Sequence, residues 1–193
     1  MKIIGVDPGT AIVGYGIIEY KNNKYNVIDY GCIYTDKNLK MSKRITQIYD
    51  DLDVIIKLHK PDFMAVEELF YFKNTKTVIS VGQARGVIVL CGEKNNIEVT
   101  GYTPLQVKMG ITGYGKSDKR QVQEMVKRVL KLDEIPKPDD AADALAIAVT
   151  HINSCLSSSR MTKGCAPSKK EGAQKKIKNN KMSAKEFRDM YLK

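Results

Sequence analysis

Three widely separated stretches of this chain place carboxylates beside apolar residues: Asp7 closes the run 2–6, Glu67 closes 63–66, and Asp140 and Asp143 flank Ala141 and Ala142. An acid at the end of an apolar run is either solvated at a sheet edge or held there for a purpose. If the first two runs are adjacent parallel strands, their ends stand about 4.8 Å apart. Two carboxylates at that spacing repel, and a divalent cation between them removes the repulsion. The three-residue step from Asp140 to Asp143 puts both on one helical face. Alone that pair says little, because the macrodipole favours acids in a first turn and Asp139 is a candidate N-cap. Together the segments supply what a two-metal site needs, with ions about 3.5–4 Å apart activating a water and stabilising a leaving oxygen. The ligands are all hard oxygens, and no His or Cys is placed to join them, which favours Mg²⁺.

The elements that must position these acids are readable in the hydrophobic pattern. Residues 2–6 form a strand stopped by Asp7-Pro8-Gly9-Thr10, and 13–20 and 25–35 continue as a three-stranded antiparallel meander. Ile45, Ile48, Tyr49, Leu52, Ile55 and Ile56 recur at helical spacing from 42 to 59, and Pro61 marks the stop. Residues 63–67 then read as the second strand of a crossover. A helix at 77–94, in which Gly82 and Gly86 would let another element come close, leads to a fifth strand at 97–102. Residues 108–120 read as a loop carrying Lys108, Lys116, Lys119 and Arg120. Ser117 opens a helix with the stripe Val122, Met125, Val126, Val129 and Leu130, and a last helix spans 139–152. The order is βββαβαβ followed by helices.

Four of these stretches carry a family resemblance: Gly5-Val6-Asp7-Pro8-Gly9-Thr10, Ala65-Val66-Glu67-Glu68-Leu69-Phe70, Gly82-Gln83-Ala84-Arg85-Gly86 and Asp140-Ala141-Ala142-Asp143-Ala144-Leu145. Collinear from residue 1 to about 152, they resemble the RuvC family of bacterial Holliday-junction resolvases. The resemblance implies an RNase H-like α/β fold with a five-stranded mixed sheet flanked by helices. It implies an endonuclease that nicks two strands of a four-way DNA junction symmetrically, in recombination and repair. It also implies a homodimer, two Mg²⁺ ions per site with Mn²⁺ able to substitute, and work beside a branch-migration helicase complex. It places the catalytic, metal-holding acids on Asp7, Glu67, Asp140 and Asp143. The family pattern, not periodicity, chooses Glu67 over Glu68 and Asp140 over Asp139. Positions matching Lys108 and Lys119 act near the scissile phosphate, and the one matching Phe70 is associated with opening the junction centre, where an exposed aromatic can stack on bases.

Charge and cysteine content bound the rest. The net charge is +10, and residues 154–193 hold eleven Lys or Arg against three Asp or Glu, so most of the excess lies there. The expected division is a nuclease domain at 1–153 and a basic, disordered tail at 154–193, with a short helix possible after Ser183. Cys32, Cys91, Cys155 and Cys165 lie far apart with only His59 and His151 as imidazole partners, which supports neither a zinc site nor a disulfide framework. His151 reads as a packed or surface residue. No run is long enough for a bilayer span, and a cytoplasmic location is expected. The Asp-x-Gly-Thr turn is shared with actin-like ATPases and sugar kinases, but those need two related lobes; a non-catalytic branched-DNA binder would not need all four acids.

Overall fold

The computed structural model describes residues 1–68 and 75–161. Its five-stranded sheet has the order β3-β2-β1-β4-β5, built from β1 (Lys2–Asp7), β2 (Ile12–Lys21), β3 (Lys24–Tyr34), β4 (Phe63–Glu67) and β5 (Glu98–Tyr102). The first three strands pair antiparallel, as short turns between them require, and β1–β4 and β4–β5 pair parallel through helical crossovers. Crossover α1 (Met41–His59) ends on Lys60 in the left-handed conformation, just before Pro61. The second crossover is α2 (Thr75–Lys94).

Strand alternation divides the core in two. Ile4, Val6, Met64 and Val66 face α1 and α2 with Ile48, Leu52, Ile55 and Ile88. Ile3, Phe63 and Ala65 face α3 (Pro104–Thr112), α4 (Lys119–Leu130) and α5 (Asp139–Met161) with Val107, Val126, Leu145 and Ile152. Asp7 and Glu67 continue the second set, since side chains two residues apart on a strand share a face. Both acids therefore point to the side covered by α5.

What brings α5 down onto them is missing side chains. A Cβ on Gly5 would collide with the Ala144 carbonyl and meet the Ala148 amide at 2.7 Å, one on Gly14 would collide with the Asp140 carbonyl, and one on Gly16 would meet Leu145. Ala141, Ala144 and Ala148 are fully buried on the helix side. Glycine inside a strand commonly marks such an approach of another backbone.

Three expectations need correction. Residues 108–112 are helical, not loop: Thr103 and Gln106 form a full capping box with Pro104 at the first turn, and Gly113 ends α3 in the left-handed conformation. Asp118, not Ser117, caps α4, again in a capping box with Gln121, while Ser117 is buried. The last helix does not stop at Ile152 but runs to Met161, because Asn153 accepts a hydrogen bond from the Tyr25 hydroxyl and donates one to the Gly110 carbonyl, and Cys155 is buried. Within this chain Gly92 of α2 is closely packed, against Val99 and Met64, while a Cβ on Gly86 would meet nothing, so that glycine leaves its face of the helix open. The helix suggested after Ser183 lies outside the described residues.

Candidate active site

The strand register sets Gly5 beside Ala65 and Val6 beside Val66, so Asp7 and Glu67 end neighbouring strands side by side. They share a hydrogen bond. Burial first, then the charges of Glu67, Asp143 and Asp140, push the Asp7 carboxyl up to about 8. Burial, then Asp143, also raises Glu67, against the lowering pull of its bond to Asp7 and of Lys119. Burial raises Asp143 in spite of Lys119. The four sequence-predicted acids therefore meet at one end of the sheet, and each charge there makes the next less favourable.

The neighbouring acids separate by geometry. Glu68 folds over β5, where its carboxylate fills the space a side chain on Gly101 would need, and its amide donates to the Tyr102 carbonyl at 2.8 Å. Asp139 is exposed, and Lys119 draws its pKa below the ordinary value. Lys119, the first residue of α4, places its Nζ 3.2 Å from Asp139 and 3.3 Å from Asp143. Burial opposes its charge, but those carboxylates outweigh burial and raise its pKa. Lys108 sits half-buried in the middle of α3. That helix is tied to α5 through the Gly110 carbonyl and through Thr150, whose hydroxyl lies 3.4 Å from the Val107 carbonyl. Phe70 lies outside the described residues.

Three sets of contributors were missed from sequence. Gly5, Gly14 and Gly16 admit α5; glycines at alternating strand positions were the available signal. Arg85 on α2 donates from Nε to the Glu67 carbonyl at 3.2 Å and so fixes the end of β4. Cys32 and Tyr34, on β3, lie close enough to Asp140 to feel its charge. His151, by contrast, is a packed residue: it is buried, bonds the Tyr102 hydroxyl at 3.0 Å and stacks near Phe63.

Among the described residues, no three His, Cys, Asp or Glu side chains close into a ready metal cage. Lys119 instead partly neutralises one side of the cluster, while Asp7 and Glu67 share a bond that their burial and charges leave strained towards the protonated form. An all-carboxylate set in which Asp7, Glu67 and Asp143 resist ionising fits a hard divalent cation.

Comparison with known proteins decides what this site belongs to. The family model for crossover junction endodeoxyribonuclease RuvC matches residues 3–151. The chain belongs to the RuvC family. A Fusobacterium nucleatum crossover junction endodeoxyribonuclease RuvC is 66% identical over 154 residues, covering 80% of this chain and 81% of that protein. The Thermus thermophilus RuvC structure superposes with a TM-score of 0.76 at 30% identity, covering 82% of this chain and 97% of that one. The same organism's RuvC in complex with a Holliday junction substrate superposes at 0.74 and 28% identity, covering 83% and 96%. The RuvC match confirms the RNase H-like fold expected from the sequence.

Proposed function

We propose that this RuvC-family endonuclease resolves Holliday junctions by hydrolysing phosphodiesters at the Asp7, Glu67, Asp140 and Asp143 cluster, with two Mg²⁺ ions per site. The convergence of four acids from β1, β4 and α5 carries the reading. Bound Mg²⁺ would supply an activated water and stabilise the leaving oxygen, and Mn²⁺, equally an oxygen-seeking ion, would substitute. Asp7 and Glu67 would hold the cations from the sheet side, and Asp140 and Asp143 from the helix side. Lys119 orients Asp143 and brings positive charge to the place where an oxyanion develops. Lys108 is held by the α3–α5 contacts so that it can meet a neighbouring phosphate, and Phe70 is assigned to the opened bases at the junction centre.

A homodimer belongs to the same proposal, since symmetric nicking needs two sites. The α2 face bearing Ile79, Gln83, Gly86 and Leu90 supports it. Ile79 is 62% exposed and Leu90 52%, while the opposite face of α2 is buried through Ala84, Ile88 and Cys91. A helix apolar on both sides has a partner for each. A cytoplasmic site of action and a branch-migration helicase as companion follow from that substrate; no helix among the described residues is long and apolar enough to cross a membrane. The test is cleavage of a synthetic four-way junction against linear duplex of the same sequence. Paired nicks in the junction with Mg²⁺ and none in excess EDTA are expected; equal cutting of the linear duplex refutes junction specificity.

A further inference from the structure

The acidic site has cations on its α3–α4 side, and a second group stands on the opposite side, beyond β3, to which the mechanism gives no role. In the nine residues from 36 to 44, Lys37, Lys40, Lys43 and Arg44 face one acid, Asp36. Lys40, Lys43 and Arg44 are spaced to share one side of the first turn of α1. The three lysines are exposed, and none of the four cations forms an ion pair with another described residue. Asp36 itself accepts from the Asn38 amide at 2.8 Å.

A run of charge is most often just a solvated face, but two observations set this one apart. Arg44 is half-buried, and its Nε donates to the Thr35 hydroxyl at 2.9 Å. Thr35, itself buried, donates to the carbonyl of Thr10, in the turn that directly follows Asp7, and its amide bonds the Ala11 carbonyl at 3.0 Å. The group is therefore registered to the catalytic strand through two side-chain hydrogen bonds, not left to drift on a loop. Its place in the topology is also fixed. β3 ends and α1 begins at the same end of the sheet where β1 and β4 deliver their acids, and Tyr34, the last residue of β3, is 57% exposed there.

We propose that Lys37, Lys40, Lys43 and Arg44 form a second backbone-binding surface, which grips the duplex arm flanking the cleaved strand on the β3 side of the site. The inference rests on the resolvase reading for its choice of DNA. With Lys108 and Lys119 across the site, the strand to be cut is held from both sides, and Arg44 couples that grip to the turn carrying Asp7. Phosphate contacts of this kind position a duplex without reading its sequence.

The test measures binding of the full chain to a four-way junction in EDTA across a salt titration. It compares Lys40→Gln with Lys43→Gln combined, and a control pair, Lys21→Gln with Lys24→Gln, at the far end of β2 and β3. Both pairs remove two exposed charges and leave the core untouched. The α1 pair is expected to flatten the slope of log K against log salt by about 2, roughly one per lost phosphate contact, and to shorten the hydroxyl-radical footprint on one arm. The control pair is expected to leave both unchanged. An unaltered slope and footprint in the α1 pair, or an equal loss in the control pair, overturns the proposal. Cleavage by the unmodified chain in Mg²⁺ is scored separately, so a protein that binds but never cuts removes the enzyme reading while the slopes still decide this one.

Discussion

Asp7 is the residue on which the chemistry is most exposed to test, because its pKa is raised by burial and by three neighbouring acids. A carboxyl whose folded pKa lies above its unfolded value binds more protons when folded, so metal-free stability falls as pH rises from about 4 to about 8. Asp7→Asn removes the ionising group. In EDTA at pH 8 the variant should be more stable than the parent by on the order of 1–2 kcal/mol, after discounting for solvent that reaches the site. Mg²⁺, which would bind the folded site, should raise the parent's melting temperature and leave the variant's nearly unchanged. Junction binding should persist while cleavage is lost, and full cleavage by Asp7→Asn would refute the assignment. Asp7 and Glu67 were legible because each closes an apolar run, and Asp140 and Asp143 because their three-residue step sets both on one helical face. Glu67 could not be told from Glu68 by pattern alone, since the choice depends on which face α5 covers. Folding settles the geometry: Glu67 joins Asp7, and Glu68 turns to Gly101.

At the scale of elements, the site is a consequence of how closely α5 lies on β1 and β2. Gly14→Ala would drive a methyl into the Asp140 backbone, which cannot give as a flexible side chain can. Overpacking of this kind costs about 1–3 kcal/mol. A displacement of even about 1 Å can cost roughly 100-fold in rate, so cleavage should fall more steeply than thermal stability, as single-turnover kinetics would show. Unchanged cleavage by Gly14→Ala would mean that α5 does not set the position of Asp140. Further along α5 the helix is held by His151, whose pKa burial lowers. Here the sign is opposite to that of Asp7: the unfolded chain binds the proton more readily, so stability is lost as pH falls through about 6.5. Replacing His151 with Gln, which keeps a polar partner for Tyr102, should flatten that acid limb in urea melts. Strands and long helices were legible from period alone. Helix α3 was not, because the stretch 108–120, with three glycines and three lysines, suggested loop from Lys108 onward; the signal that outweighs them is local, in Thr103, Pro104 and Gln106.

Across the whole molecule, the strand order sends β1, β3, β4 and β5 to one end of the sheet, and the helices α1, α2, α4 and α5 start from it. Helix N-termini carry partial positive charge, so the fold itself favours an anionic substrate at that end even before a lysine is counted. This was visible in the sequence only as an element order, βββαβαβ, whose crossovers dictate the direction of every later helix. What no single-chain pattern could reveal is the outer face of α2, because the same apolar residues would be read as core. Ile79 and Leu90 lie on that face with Gly86, whose missing side chain leaves open space where a second helix can approach. If two copies meet there, Leu90→Lys puts a charge into the apolar contact and should convert the dimer to monomer in sedimentation experiments at micromolar concentration, without lowering the melting temperature of the monomer, since Leu90 is not part of its core. The expected functional consequence is specific: a monomeric variant that still has intact acids should yield single nicks where the parent gives paired ones. A variant that stays dimeric and still nicks in pairs would place the interface elsewhere, and with it the distance between the two active sites.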